Sequence, residues 1–177
     1  TRATDSLSRT VTGDESWADY ELETKAKVDS WGSTGFNTVG FLARYTDTNN
    51  YYVIGYDYAQ PTGGELDGGL VSADGEQGML VIKRKVAGAN TVIASKPFTY
   101  ELGREYTFKA VLEGDTISLY VDGVKEIEAT DSSLRAGKAG LITAFGEASF
   151  DYFSLAPIST PEPTSTPRPP VHGSVRR

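Results

Sequence analysis

Residues 106–121 read YTFKAVLEGDTISLYV and run straight into Asp122-Gly123. Two strand-like runs, 106–112 and 116–121, are separated by Glu113-Gly114-Asp115. Asp122-Gly123 then carries the strongest hairpin signal in the chain, because both central residues of a type I′ turn need positive φ. Working outward, residues 20–28 (YELETKAKV) alternate cleanly. Tyr20, Leu22, Thr24, Ala26 and Val28 face one way; Glu21, Glu23, Lys25 and Lys27 face the other, the pattern of a half-buried strand. Runs 38–45 and 51–56 are joined by the polar loop Thr46-Asp47-Thr48-Asn49-Asn50. Runs 79–86, 137–145 and 148–155 complete the set. No window sustains a 3.6-residue period apart from one turn around Ser132–Arg135. Nine or ten strands with tight turns predict an all-β, antiparallel sandwich.

Composition sets the boundaries. Of 177 residues, 38 % are apolar, enough for one core, and none is Cys, which excludes disulfide scaffolds, thiolate metal sites and a Cys nucleophile. The formal net charge of −7 argues against nucleic acid, and no apolar run reaches the roughly 20 residues of a membrane helix. The single His172 sits in a Pro-rich tail, which disfavours a Ser-His-Asp triad or a His-based zinc site. Six of the eight prolines fall in 157–170 (PISTPEPTSTPRPP), so residues 1–157 read as one sandwich and 158–177 as a Pro/Thr-rich linker. Residues 57–78 (DYAQPTGGELDGGLVSADGEQG) break the strand rhythm with six Gly, five carboxylates and no base, the kind of loop that is functional or mobile.

The strings WADYELETKAKV, GFLARYTDTNNYYVIGY, LVIKRKVAGANTVIAS, EYTFKAVLEGDTISLYVDGVKEIEATDSSLRAGKAGLITA and ASFDYFSL resemble the concanavalin-A-like jelly-roll modules of secreted carbohydrate-active proteins. The resemblance covers residues 8–155 and is nearest to laminin-G-like and family-66-like carbohydrate-binding modules attached to pectate lyases, levanases and related enzymes. It implies a jelly roll, an extracellular location, a polysaccharide or oligosaccharide ligand and a covalently linked catalytic module. It also implies a structural Ca²⁺ with Asp151 as a ligand, since hard oxygen donors suit that ion. Such modules open with a further strand pair, whereas this chain starts close to SRTVTG, so a missing N-terminal strand and an exposed sheet edge are expected. The long acidic loop at 57–78 is the second departure.

An enzyme on this fold would need convergent carboxylates about 5–5.5 Å apart for retaining hydrolysis. Glu65-Leu66-Asp67-Gly68-Gly69-Leu70 lacks the second Glu of the E-x-D-x-x-E pattern, and Glu126-Ile127-Glu128 reads as a solvated edge. A lyase built on Arg44, Tyr45 and Lys83 is not demanded by their spacing. A non-catalytic sugar-binding module is therefore the reading, ahead of a lectin-like adhesive module and of a lyase or hydrolase. Sugars are gripped by aromatic faces and planar polar groups. Trp31, Arg44, Tyr56, Asp57 and Tyr58 combine these types and are the expected glycan site. Tyr51 and Tyr52 are assigned to the core and Trp17 to a structural plug; alternation places Arg84 among core residues and Lys83 and Lys85 on the other face, balancing carboxylates such as Glu21 and Glu23 on a neighbouring strand.

Overall fold

The computed structural model describes residues 7–32, 36–59 and 77–158. Residues 60–76 of the acidic loop and 159–177 of the proline-rich segment lie outside this range. Eleven strands are present among the described residues: β1 (Leu7–Thr12), β2 (Tyr20–Trp31), β3 (Phe36–Asp47), β4 (Asn50–Ala59), β5 (Gln77–Val86), β6 (Ala89–Thr99), β7 (Glu105–Glu113), β8 (Thr116–Val121), β9 (Val124–Thr130), β10 (Lys138–Ala144) and β11 (Gly146–Pro157). They form a six-stranded sheet, β1-β10-β3-β4-β5-β6, packed on a five-stranded sheet, β11-β2-β7-β8-β9, with every pairing antiparallel. No helix among these residues is long and apolar enough to cross a membrane.

Alternation explains the layers. On β2 the residues Tyr20, Leu22, Thr24, Ala26 and Val28 are buried. Their neighbours face water and pair with β7, through Lys109–Glu21 at 2.7 Å and Lys25–Glu105 at 3.0 Å. The inner faces of both sheets meet in one apolar core that includes Phe41, Tyr52, Ile54, Tyr56, Leu80, Ile82, Phe108, Leu112 and Leu119. Asp122 and Gly123 have φ of 49° and 82°, the two left-handed positions their hairpin requires. The Asp122 carboxylate also accepts the Thr107 N–H at 2.9 Å.

Residues 7–12 form β1, which pairs with β10 and is the edge of the six-stranded sheet. Three expectations change. Strand β6 escaped notice because its turn is Ala87-Gly88, and Ala carries no turn signal. Ala87 nonetheless sits at φ 49°, with its N–H held by Asn50 Oδ1 at 3.0 Å and that of Gly88 by the Asn49 carbonyl at 3.1 Å. Residues 132–135 form no helical turn; Asp131 Oδ1 instead accepts the Ser133 N–H at 2.9 Å. Lys83 and Lys85 do not balance Glu21 and Glu23, because β5 and β2 belong to different sheets. Glu126 and Glu128 do lie on an edge strand, β9, where they are ion-paired with Lys96 and Lys125.

Candidate functional site

Of the five residues expected to hold a sugar, Trp31, Tyr56 and Tyr58 are brought together, while Arg44 and Asp57 lie elsewhere. Period-two alternation on β4 separates Tyr56 and Tyr58, which point into the core, from Asp57, which points outward. Trp31, half-buried at the end of β2, stacks on Tyr56 and Tyr58 with ring centroids 5.6 and 5.3 Å away and meets Tyr100 edge-on at 5.8 Å. These rings hold the two sheets together at one end of the sandwich. Desolvation raises the Tyr56 and Tyr100 hydroxyls above their ordinary range.

Arg44 is the clearest redirection. Simple alternation after Ala43 would aim it at solvent, but a bulge in β3 between Ala43 and Asp47 turns it, with φ 44°, into the interior, where it is 1 % exposed. Its guanidinium donates to the Ala18 carbonyl at 3.2 and 3.0 Å, to Leu134 at 2.9 Å and to Gly114 at 2.7 Å, with Asp19 at 3.6 Å. Three loops are thereby pinned at the opposite end of the sandwich. The Arg44 N–H donates to the Tyr20 hydroxyl at 2.7 Å, and burial pushes that phenol up to about 12. Gly137 crosses so close that a Cβ there would lie 2.4 Å from the Arg44 carbonyl carbon.

A second inward network was legible only in part. Arg84, placed by alternation among the core residues, meets Asp131 at 2.6 Å, and the Tyr52 hydroxyl donates to the same carboxylate at 2.6 Å. Burial works to raise the Asp131 pKa, but the hydrogen bonds from Tyr52 and Ser133 and the charge of Arg84 outweigh it and hold the carboxyl below its ordinary value. Desolvation, and then the same bond, push Tyr52 up to about 12.

Asp57 leads to a different place. It lies in register with Thr38 on β3 and Met79 on β5, on the outward face of the six-stranded sheet. Thr38 Oγ1 donates to Asp57 Oδ1 at 2.8 Å and Lys83 Nζ meets Oδ2 at 2.5 Å, so both carboxylate oxygens are engaged although the residue is only 6 % exposed. This group borders a hollow of about 240 Å³ on the sheet face, whose lining also includes Tyr51, Val53, Val81, Asn90 and Ile142. Gly40 and Gly55 face each other in register beside it. A Cβ on Gly40 would come 2.4 Å from the Ile54 oxygen, and one on Gly55 would come 2.2 Å from the Val39 oxygen. The two glycines let the backbones approach and leave the middle of this face without side chains.

Thr38 was not singled out, and Lys83 was weighed for a lyase and for charge balance, because their partner Asp57 was grouped with its chain neighbours. Placing Asp57 on the face of Tyr51 and Val53, with Gly40 and Gly55 nearby, would have pointed to them. Asp151 stands exposed on β11, where the register with β2 slips between Phe150 and Phe153. No group of three or more His, Cys, Asp or Glu side chains suited to a metal occurs among the described residues.

No protein-family profile and no curated protein matches the sequence. Solved structures do match. The carbohydrate-binding module CBM66 from Bacillus subtilis superposes with a TM-score of 0.68 at 21 % identity, over 87 % of this chain and 84 % of that one. The chain has the fold of a jelly-roll carbohydrate-binding module. Galectin-like lectins share the architecture: congerin II, liganded with lactose and MES, matches with a TM-score of 0.53 at 14 % identity over 85 % of this chain and 99 % of its own. A homodimeric agglutinin from chicken liver, CG-16, matches with a TM-score of 0.52 at 13 % identity, over 85 % of this chain and all of its own. At these identities the likeness speaks for the fold alone.

Proposed function

We propose that this chain is a non-catalytic carbohydrate-binding module that takes a sugar in the hollow above β3, β4 and β5. The observation that carries the proposal is the Thr38–Asp57–Lys83 group, a hydroxyl, a carboxylate and an ammonium set together in a sheet face whose lining includes the apolar Val53, Val81, Met79 and Ile142. A few fixed polar groups within an apolar hollow are how small polar ligands are oriented. Sugar hydroxyls would accept from Lys83 and donate to Asp57, while C–H surfaces would lie on the aliphatic side chains. At about 240 Å³ the hollow is small, which suits one sugar ring better than a long run of chain. The lactose-liganded lectin of the same fold adds support.

The absence of catalysis is part of this proposal. Glu126 and Glu128, the pair the sequence offered for hydrolysis, are engaged by Lys96 and by Lys125 and Ser118. Secretion, a structural Ca²⁺ at Asp151 and a catalytic module reached through the proline-rich segment complete the reading, with targeting by raised effective concentration as its benefit. An adhesive role is the second reading, favoured by edge strand β1 with Leu7 45 % and Val11 39 % exposed. Calorimetry of the full chain against neutral and acidic oligosaccharides, with and without a chelator, is the test, run beside an assay for new reducing or unsaturated ends. Binding that disappears in Asp57→Ala, without product, is expected. Product formation, or unchanged binding in Asp57→Ala, overturns the proposal.

A further inference from the structure

Thirteen Lys and Arg residues lie within the described part of the chain, and eleven of them are ion-paired: Lys25, Lys27, Arg44, Lys83, Arg84, Lys96, Arg104, Lys109, Lys125, Arg135 and Lys138. That is the expected behaviour of a chain with 24 acidic and 17 basic residues. The two left without a carboxylate within ion-pair distance among the described residues are Arg9 and Lys85. They come from opposite sides of the six-stranded sheet, β1 and β5, yet converge on one ring. The Arg9 guanidinium lies 5.8 Å and the Lys85 ammonium 5.4 Å from the centroid of Tyr51. Tyr51 is itself 6 % exposed, stacked on Tyr45 at 5.7 Å, and lines the same hollow as Asp57.

Two like charges brought together repel, and in an acidic chain the cheapest remedy is a nearby carboxylate. Among the described residues none lies within ion-pair distance: Asp47, held below its ordinary pKa by the amide of Asn50 and the N–H of Asn49, directs its oxygens to them. The Tyr51 face offers each cation partial compensation through its ring electrons, which holds both in place without neutralising them. Arg9 is exposed, Lys85 is half-buried, and Asn90, opposite Lys85 on β6, adds an amide at the rim. A guanidinium with a planar fork and an ammonium with three donors together match an oxyanion carried on a sugar.

Resting on the glycan reading of the hollow, we infer that the sugar it takes is acidic, with its carboxylate or sulfate held by Arg9 and Lys85 over Tyr51. Asp57, Thr38 and Lys83 then meet the hydroxyls at the other end of the hollow, and the two ends divide affinity from charge selection. The overall negative charge of the chain opposes long-range attraction of a polyanion, so the preference is a short-range one and is expected in the dissociation rate.

Calorimetry of the full chain tests this with oligogalacturonate, glucuronoxylan oligosaccharides and sulfated galactan oligosaccharides. Each is set beside its uncharged counterpart: methyl ester, carboxyl-reduced and desulfated. At least one acidic form is expected to bind about tenfold or more tightly than its counterpart, with the arm that responds telling carboxylate from sulfate. In Arg9→Gln/Lys85→Gln that ratio is expected to fall to about one, and raised salt is expected to weaken only the acidic form. Equal binding of all acidic and uncharged forms, or a preference that survives the double substitution, overturns the inference and leaves the glycan reading standing. If no saccharide binds in any arm while the chain remains folded, both fall.

Discussion

The two faces of β4 show how differently one strand can be used. Inward, Tyr52, Ile54, Tyr56 and Tyr58 join a closed aromatic and aliphatic core. Outward, Tyr51, Val53 and Asp57 are nearly as well buried, yet they line a hollow, the one proposed to take a ligand. Depth of burial alone therefore does not separate structure from function here. What separates them is whether the polar atoms are used up by the fold. Arg44 gives its guanidinium to three backbone carbonyls, whereas among the described residues Asp57 is met by two neighbouring side chains on the same face.

Substitutions that respect this division should behave in opposite ways. Arg44→Ala is expected to cost about 3–5 kcal/mol in denaturant unfolding, because it leaves buried carbonyls without donors. Arg44→Lys should recover only part, since one ammonium cannot span Ala18, Leu134 and Gly114. If Arg44→Ala unfolds at the wild-type midpoint but loses ligand, the inward assignment fails. Trp31→Ala removes a half-buried ring stacked on two tyrosines. It should lower stability by about 2–3 kcal/mol and leave glycan affinity unchanged in calorimetry. Asp57→Asn is the mirror case. Stability should fall by about 1 kcal/mol, while sugar binding weakens at least tenfold, about 1.4 kcal/mol.

Smaller effects sharpen the inward side. Because Asp131 titrates below its ordinary value in the folded chain, the stabilisation it brings is fully present above about pH 4. It is lost as pH falls through the depressed pKa. Acid titration of thermal stability should show that loss in the wild type and a shallower one in Asp131→Asn. The smallest expected change is a gain. Ala87 holds a left-handed conformation that disfavours any Cβ, so Ala87→Gly should raise stability by about 0.5–1 kcal/mol in the same unfolding measurement.

Much of this architecture was readable in advance because period-two alternation and Asp122-Gly123 are strong local signals. Strands β2, β7, β8 and the inward position of Arg84 all follow from them. Features that depend on exceptions to local rules were hidden. The bulge that reverses Arg44 leaves no mark on composition, and the left-handed Ala87 looks like an ordinary strand residue. The site was half-legible for a related reason. Asp57 stood out for its neighbours Tyr56 and Tyr58, but neighbours in sequence are opposites in a strand. Its real companions, Thr38 and Lys83, lie 19 and 26 residues away and become visible only with the strand register.

On the proposed reading, the outward face of the six-stranded sheet, and not the aromatic end of the core, receives the sugar. Backbone amide chemical shifts of the labelled full chain, followed while the tightest oligosaccharide from the calorimetric panel is titrated in, test this most directly. Changes are expected to concentrate at Thr38, Asp57, Val81 and Lys83, with Trp31, Tyr100 and the β11 amides still. Changes centred on Trp31 and β11, with the sheet face silent, would contradict it.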